Sequence, residues 1–434
     1  MLFDRMLSEL EEVFLHYESE LPLRANKDKF FVNRDLRGRA SLIWDEASWL
    51  EMRDDVRARV SDMCGEIARK LGKHALSCDR LLITGNAPFD EEKAGAVVYA
   101  YGENFPFCVA DRMLTESSWD HREESDSLSD KTIVFFSIKG GVGRSTALAV
   151  AAWSMAQKGK KVMVLDMDLE SPGLSSSLLP EQICPEYGLV DWLVEDVVDN
   201  GNAVIDGLFA NSPLAGDSRG EIVVVPAHGR NCGDYIAKLG RAWMPRMEGK
   251  KRIAWPQRLR TLLRELDNRH HPDFILVDAR AGLDEIASAC VLDLAPSLVL
   301  LFALEGEQTW RGYSILFHYW NKIGQAPNIR ENLQVVASMV PPLEDKQPYV
   351  NGLRERSWDC FMKGLYDELT EEREDAFSFD CNDVEAPHNP WIINWHPGLH
   401  GLKQLSSLEA TLDPDQIRGT FPFLRNLEAV LEEK

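Results

Sequence analysis

The chain has 434 residues, which is too long for one ordinary hydrophobic core and long enough for two, because single domains usually stop growing near about 250 residues. Apolar residues make up 44% and charged residues 27%, a globular composition that excludes wholesale disorder. A formal net charge of −22 repels nucleic acid and anionic lipid at long range, so the charge balance excludes a general nucleic-acid coat.

The opening residues 1–21 mix acids into an amphipathic helical pattern and show no basic-then-apolar secretion signal. The most apolar stretch, 289–304, is interrupted by Asp293 and Pro296 and is shorter than the roughly 20 residues of a membrane-spanning helix. The eight cysteines are dispersed without metal-like spacing, which favours reduced, mostly structural thiols. We therefore expect a cytoplasmic protein with no membrane segment.

Residues 1–114 form the first predicted domain, an α+β module of unknown role. Three arginines crowd the stretch 33–39, where a charged loop is favoured and a site for an anionic ligand or partner is the alternative. The helical pattern over 46–71 predicts one long helix. The predicted strands of this domain include 30–32, 81–84 and 97–101.

Residues 115–131 are rich in serine and acidic residues and have almost nothing to bury, so they predict a linker. After it, over 132–434, short apolar runs alternate with helical periods, which predicts an α/β fold: a mostly parallel, twisted sheet with helices on both faces. An acid-rich helical insertion is expected at about 341–390. The predicted strands are 132–138, 161–166, 221–226, 273–278, 297–304, 333–338 and 391–395.

A glycine-rich segment joins the first strand of this second domain to the helix that comes next. It reads Lys139, Gly140, Gly141, Val142, Gly143, Arg144, Ser145 and Thr146. Glycines let the backbone curl until successive N–H groups point inward, and the helix adds its positive N-terminal end, so phosphate oxygens find a preorganised cage. A Gly-rich turn without a ligand is the alternative, but the strand and helix on either side favour phosphate binding.

The string KGGVGRST resembles the deviant Walker A motif of the ParA/MinD/Mrp group of dimeric P-loop ATPases, usually written KGGxGK followed by Ser or Thr. Residues 162–168, VMVLDMD, are similar to that group's second strand, which ends in an Asp-x-Asp pair leading into switch I. Residues 274–282, FILVDARAG, are similar to its Walker B strand and switch II. Three motifs in order are more specific than any one, and the resemblance covers roughly residues 131–395.

The resemblance implies ATP and Mg²⁺ as cofactors and names the metal-binding side chains. Asp278 ends an apolar strand and puts a carboxylate beside the hydroxyl of Ser145, so the two are expected to hold Mg²⁺ directly or through water. Asp166 is expected to support this metal shell. Taken singly, each acid would more often be a solvated strand end, but the set favours function.

The resemblance also implies the catalytic groups and a nucleotide-sandwich homodimer. Asp168 is the candidate for orienting the attacking water, and the N–H of Gly282 is expected against a terminal phosphate. Lys139 resembles the signature lysine that reaches across the dimer to the partner's phosphates. Arg144 stands where the group has its own-chain lysine.

Two departures from the motif weaken the case for catalysis. Arg144 is a planar fork that still neutralises phosphate oxygens but lacks the reach and position of lysine, and Ile138 replaces the first glycine of the wider pattern. We therefore expect binding, with hydrolysis slow or dependent on a partner. Asn321 and Lys322 are followed by Ile323 and Gly324, so the N-K-x-D guanine reader is missing and ATP is preferred through the resemblance.

The segment 241–269 is basic within an acidic chain and carries two interleaved tryptophans. Its basic residues are Arg241, Arg246, Lys250, Lys251, Arg252, Arg258, Arg260, Arg264 and Arg269. A solvated helix face is the favoured interpretation, followed by docking of an acidic protein partner. Nucleic acid would be contacted only through this segment.

The leading hypothesis is a slowly hydrolysing, ATP-dependent dimerisation switch that regulates a protein partner or complex. The alternatives are a non-hydrolysing, nucleotide-bound scaffold, in keeping with a KGGVGRST branch that carries extra domains and is associated with bacterial defence-type systems, and a ParA-like DNA-associated ATPase. A P-loop tyrosine kinase is disfavoured because the last tyrosine is Tyr366, far from the C-terminal cluster such kinases carry.

Overall fold

A computed structural model describes residues 1–84, 89–344, 346–368, 376–400 and 413–432. The chain divides into two compact units, Met1–Asp120 with Lys322–Gly324, and His121–Asn321 with Gln325–Lys434. Among the described residues, no helix combines the length and the apolar character that crossing a bilayer requires.

The first unit is built on a five-stranded mixed sheet. Its strands are β1 (Phe30–Arg34), β2 (Ala40–Trp44), β3 (Leu82–Thr84), β4 (Val97–Tyr101) and β5 (Phe107–Asp111). They lie in the order β3-β2-β1-β5-β4, with β1 antiparallel to β2 and parallel to β5. The helices are α1 (Met6–Tyr17), α2 (Glu46–Glu51), α3 (Asp54–Leu71) and α4 (Cys78–Leu81). Phe14 of α1 packs on Phe30 and Phe107 with ring centroids 5.7 and 5.0 Å away, which joins this helix to the sheet.

One prediction for this unit is wrong. The single helix over 46–71 is two helices, because Met52 and Arg53 adopt extended backbone angles between them. The stretch 33–39 is the favoured charged turn, between β1 and β2, and not the alternative open anion site: buried Arg34 donates from Nε to Asp111 at 2.7 Å, and Arg39 donates to Asp35 at 2.7 Å. Two of the three cations are thus already neutralised within the unit.

The second unit is built on an eight-stranded sheet, and the predicted α/β fold is confirmed. Its strands are β6 (Thr132–Ser137), β7 (Lys161–Asp166), β8 (Ala210–Asn211), β9 (Glu221–Val225), β12 (Phe274–Asp278), β13 (Leu298–Ala303), β14 (Leu333–Val340) and β15 (Trp391–Asn394), with a separate hairpin of β10 (Arg246–Glu248) and β11 (Lys251–Ile253). The order is β15-β14-β13-β6-β12-β7-β9-β8, and neighbours run parallel except β8 against β9.

Helices cover both faces of this sheet. They are α5 (Ser127–Asp130), α6 (Arg144–Gln157), α7 (Leu174–Leu178), α8 (Leu189–Val197), α9 (Tyr235–Ala242), α10 (Trp255–His270), α11 (Glu285–Ser288), α12 (Glu307–Lys322), α13 (Ala326–Ile329), α14 (Gln347–Gly364), α15 (Pro397–His400), α16 (Pro414–Thr420) and α17 (Phe423–Glu432). Successive residues of a strand point to opposite faces. Phe135 shares a buried cluster with α6 and α17, whereas the ring of Phe136 contacts Tyr313 of α12.

The predicted linker 115–131 is wrong in its second half, which is packed into the second unit. Leu128 and Ser129 of α5 are buried, and the carboxylate of Asp126 caps this helix and pairs with Arg264 at 2.9 Å. The expected insertion at 341–390 contains α14, and its residues 369–375 lie outside the described part of the chain.

The interpretation of 241–269 as a solvated helix face holds only for part of the segment, the face of α10 that carries exposed Arg264 and Arg269. This segment forms the β10–β11 hairpin and α10, and the guanidinium of Arg258 is fully buried against Asp196 at 2.7 Å. Arg260 is nearly buried against Asp126 at 3.0 Å, and Arg269 is paired with Glu265 at 2.7 Å. Arg258, Arg260 and Arg269 are thus neutralised by ion pairs within the unit, and the acids Asp196, Asp126 and Asp206 that pair with them are distant in sequence.

Candidate functional site

The glycine-rich loop lies at the carboxyl end of β6, where ligands collect in open parallel sheets. Gly141 and Gly143 have φ of 73° and 78°, the left-handed conformation that glycine adopts without strain, and Gly143 is the N-cap of α6. A Cβ added at Gly140 or Gly141 would find no atom within 4 Å, so the space over the loop is open. The loop therefore has room for a ligand against its backbone.

The departure at Ile138 has a packing explanation. Its side chain fills the space that Gly312 of α12 leaves, since a Cβ at Gly312 would come within 2.3 Å of Ile138 Cγ2. On the other side, the hydroxyl of Ser338 at the end of β14 donates to the carbonyl of Val142. These contacts hold both ends of the loop on neighbouring elements.

Asp278 is the centre of the polar cluster beneath the loop. It ends β12, the strand next to β6, and is 1% exposed. One carboxylate oxygen accepts from the hydroxyl of Ser145 at 2.6 Å, and the other accepts from Nε of Arg144 at 2.5 Å. Arg144 also donates to Ser137 at 3.2 Å and lies 3.8 Å from Asp168. Its guanidinium is thus buried among the acids at the strand ends.

Asp166 ends β7, the strand on the other side of β12, and is fully buried. One oxygen accepts from the N–H and hydroxyl of Ser175, the other from the N–H of Asp168 at 3.3 Å. Burial, and then the nearby carboxylate of Asp278, raise the pKa of Asp166 to about 7. The carboxyl of Asp166 therefore acts as a buried hydrogen-bond acceptor that positions Ser175 and the backbone of Asp168.

Asp168 differs from Asp166 and Asp278 in the hydrogen bonding of its carboxylate. Its side chain is 20% exposed, yet its Oδ1 is buried and has no hydrogen-bond partner in the described part of the chain. Burial raises the pKa of Asp168, although the charge of Arg144 opposes this. An unpaired buried carboxylate oxygen is costly, so this atom is suited to receive a ligand or water.

An ion pair joins the loop after β7 to the loop after β12. Arg280 pairs with Glu170 of the first loop at 2.6 Å and with Asp284 of its own loop at 3.4 Å. Gly282, at φ 110°, donates its N–H to the carbonyl of Ser137 at 3.0 Å. Sequence reasoning gave Arg280 no role, although its place two residues after Asp278 was the available signal.

Lys139 stands apart from the acids. Its side chain is exposed on the glycine-rich loop, with Nζ 3.4 Å from Oε1 of Gln308 at the start of α12. The cluster therefore contains Arg144, Ser145, Asp166, Asp168 and Asp278, while Lys139 and Gly282 lie at its margin.

A cavity of about 340 Å³ opens beside the glycine-rich loop, and sequence reasoning missed it. The lining residues are Gly141, Gly143, Thr146, Ser338, Met339, Ile393, Asn394, Trp395, His396, Leu399 and Phe421. They come from the loop, the ends of β14 and β15, and the C-terminal helices, which are distant in sequence. A mostly apolar cavity of this size suits a planar ring with a few polar edges.

Comparison with known proteins agrees with the P-loop NTPase class that the glycine-rich loop and the parallel sheet indicate. A family model described as ParA: NUBPL iron-transfer P-loop NTPase matches residues 129–185, from α5 through the glycine-rich loop and β7 to α7. Residues 129–185 therefore match a ParA-type P-loop NTPase model, and the resemblance predicted from the motifs is confirmed for this part of the chain.

The individual proteins that resemble this chain share low sequence identity with it. An uncharacterised ATP-binding protein of Methanocaldococcus jannaschii is 28% identical over 106 residues, 24% of this chain and 35% of the relative, so the chain spans about a third of that relative's length. The solved cell-division ATPase MinD of Pyrococcus furiosus is 18% identical, covering 69% of this chain and 99% of that one, at a TM-score of 0.43. A ParA family ATPase of Chlorobium tepidum is 14% identical, covering 69% and 98%, at 0.45.

The raised pKa of Asp166 gives a testable pH dependence of stability. A carboxyl whose folded pKa rises from 3.8 to about 7 contributes stability that is complete below its unfolded pKa and is lost as pH rises through about 7. We expect Asp166→Asn to remove this loss, so that its melting temperature rises relative to the native protein between about pH 5 and about pH 8. Asp415→Asn, at a carboxyl that is 95% exposed, is the control. If the melting temperatures of native protein and Asp166→Asn changed with pH in the same way, the assignment of the raised pKa to Asp166 would be contradicted.

Proposed function

We propose that this protein binds ATP with Mg²⁺ at the glycine-rich loop and acts as a slowly hydrolysing dimerisation switch that regulates a protein partner. The observation that supports this most directly is the cluster of Ser145 and Asp278 under an open backbone cradle, with an unpaired oxygen of Asp168 beside it. A serine hydroxyl and an aspartate carboxylate at this position are ligands that Mg²⁺ prefers.

The residues present fit the metal. Ser145 and Asp278 would hold Mg²⁺, with Asp166 behind them as a support whose oxygens are already engaged by Ser175 and Asp168. When bound, Mg²⁺ supplies neutralisation of charge on the phosphate oxygens. The backbone N–H groups of residues 140–146 and the N-terminal end of α6 would hold and orient the phosphates. The oxygen of Asp168 would orient the attacking water.

The cavity beside the loop is our candidate for the adenine site. Its lining includes Gly141 and Gly143 of the loop, Met339, which lies beside Gly143, and Trp395, which is 37% exposed. Apolar walls at this place would hold the base while the loop holds the phosphates.

Arg144 supports slow turnover. Its guanidinium forms a buried ion pair with Asp278, and a metal on Asp278 would have to displace it. Released from Asp278, the guanidinium would neutralise phosphate oxygens. The same ion pair favours the second candidate, a nucleotide-bound scaffold without turnover. A DNA-associated ATPase has less support, because Arg258, Arg260 and Arg269 are engaged within the unit.

Single-turnover hydrolysis and nucleotide binding by the full chain test the proposal. We expect calorimetry to detect ATP binding that tightens with Mg²⁺, and slow phosphate release that Asp168→Ala abolishes while binding persists. The loss is expected because the substitution removes the group that orients water. ATP binding with equal, background release from native protein and Asp168→Ala would favour the scaffold. Undetectable binding of any nucleoside triphosphate would reject both.

The molar mass in solution tests the dimer. We expect ATP and Mg²⁺ to double the mass of native protein and to leave Lys139→Ala monomeric, because exposed Lys139 is the group proposed to reach the partner's phosphates. Lys158→Ala, at the opposite end of α6, is the matched control and should dimerise. A native mass unchanged by nucleotide would remove the dimer from the proposal.

A further inference from the structure

Two cysteines of the second unit lie on chain segments that run side by side. Leu189 donates its N–H to the carbonyl of Pro226 at 2.8 Å, and Arg230 donates its N–H to the carbonyl of Pro185 at 2.8 Å. These bonds pair the segments 185–189 and 226–230 in antiparallel fashion. A Cβ at Gly229 would come within 2.1 Å of the carbonyl oxygen of Glu186, so the backbones are in close contact.

The next step of this pairing brings Cys184 and Cys232 together. Since residues 189 and 226 pair, as do 185 and 230, Cys184 falls opposite Asn231, the neighbour of Cys232. The guanidinium of Arg230 donates to the carbonyl of Cys184 at 3.0 and 3.3 Å, which holds the segments together at this point. A disulfide needs Cα atoms about 4.4–6.8 Å apart, so the loop that carries Cys232 has to adjust by about one residue to form it.

The loop that carries Cys232 is built to adjust. Residues 230–234 are exposed, and Gly233 lies in the left-handed region at φ 54°. All eight cysteines lie within the described ranges and are free thiols. The loop can therefore move Cys232 toward Cys184 without disturbing a buried core.

The two thiols differ in their surroundings. Cys232 is exposed, with Sγ 3.4 Å from Nδ1 of His228. The same Nδ1 lies 2.9 Å from the carbonyl oxygen of Gly229, which can only accept, so Nδ1 carries a proton and faces Cys232 as a donor. Cys184 is half-buried. Burial raises the pKa of the Cys184 thiol, the charge of Arg230 opposes this, and a thiolate at Cys232 raises it further. An accessible thiol beside a hydrogen-bond donor is suited to attack first as its thiolate, and a shielded thiol to attack second.

We propose that Cys184 and Cys232 form a reversible disulfide by exchange with a small-molecule disulfide such as oxidised glutathione. Cys232 loses its proton to solvent and its thiolate attacks one glutathione sulfur, which breaks the glutathione S–S bond and releases one glutathione thiolate. The Cys184 thiolate then attacks the Cys232 sulfur and releases the second glutathione. Two protein thiols are oxidised, one glutathione disulfide is reduced, and the two protons end on the released thiols.

The disulfide would lie close to the acids of the candidate site. The segment 226–235 contacts both the loop after β7 and α7: the hydroxyl of Tyr235 donates to the carbonyl of Leu169 at 2.6 Å, and the N–H of Ala227 donates to Ser175 Oγ at 3.3 Å. Ser175 in turn donates to Asp166. Oxidation would fix the segment on which this loop rests. The disulfide itself does not depend on nucleotide binding.

Peptide mapping of the full chain by mass spectrometry under non-reducing conditions, after treatment with oxidised glutathione, tests the inference. We expect a cross-linked pair of peptides containing Cys184 and Cys232 that dithiothreitol reverses. In Cys184→Ser, glutathione should stay on Cys232, and in Cys232→Ser, Cys184 should remain unmodified. His228→Leu, which removes the donor beside Cys232, should slow the reaction of Cys232 by about tenfold. Cys78, exposed in the first unit, is the control and should carry only glutathione.

Two results would overturn this inference. One is the absence of the cross-linked pair from oxidised native protein while Cys78 is fully modified. The other is stable glutathione on Cys232 in native protein that still has Cys184, since the second attack would then not occur. Circular dichroism of each variant checks that it is folded. Neither result bears on ATP binding, so failure here is distinct from failure of the proposed function.

Discussion

Arg144→Lys is expected to tighten Mg²⁺-dependent ATP binding by about tenfold or more, which corresponds to about 1.4 kcal/mol. In the native protein the guanidinium of Arg144 donates to Asp278 at 2.5 Å and to Ser137 at 3.2 Å, and it is nearly buried. Metal binding at Asp278 must break this pair and leave the guanidinium to find other partners. A lysine ammonium is a compact charge without the fork that engages both groups.

Calorimetry with ATP, in Mg²⁺ and in a chelator, measures this effect as the ratio of the two affinities. The ratio should rise in Arg144→Lys and stay unchanged in Arg264→Lys, an exposed arginine that pairs with Asp126. Single-turnover hydrolysis should rise with the ratio if metal placement limits the rate. Weaker Mg²⁺-ATP binding by Arg144→Lys would mean instead that the guanidinium itself holds phosphate, and the competition model would fail.

The sheet of the second unit and the positions of its acids could be predicted from sequence because parallel strands leave a simple signal. Each predicted strand from 132–138 to 391–395 coincides with an observed strand within a few residues. Because β6, β12 and β7 are adjacent, the acids that end β7 and β12 necessarily meet the loop at the end of β6. Local patterns therefore located the candidate site.

The features that could not be predicted depend on contacts between residues distant in sequence. The turn of Arg144 toward Asp278 is a side-chain choice that no local pattern encodes. The neutralisation of Arg258 by Asp196, and of Arg264 by Asp126, requires knowing which helices pack together. The cavity beside the loop is missed for the same reason, since its walls come from β14, β15 and the C-terminal helices. A count of basic residues along 241–269 therefore overestimates the basic surface that this segment presents.

Gly229→Ala is expected to destabilise the second unit by about 3 kcal/mol or more, in the range of severe overpacking. An added Cβ would lie 2.1 Å from the carbonyl oxygen of Glu186 and 2.5 Å from Cα of Tyr187, and both are backbone atoms that cannot turn aside as a flexible side chain could. The segments 185–189 and 226–230 would have to separate. Thermal unfolding followed by calorimetry measures the loss.

Gly240→Ala is the matched control for this change. It makes the same substitution in α9, where an added Cβ meets no atom within 4 Å, so helix propensity predicts a gain of about 0.5–1 kcal/mol. If Gly229→Ala has the same melting temperature as native protein, the two segments are not in contact and the pairing that brings Cys184 toward Cys232 is wrong. If only Gly229→Ala is destabilised and it also fails to form the cross-link, the close approach of these backbones is what aligns the two thiols.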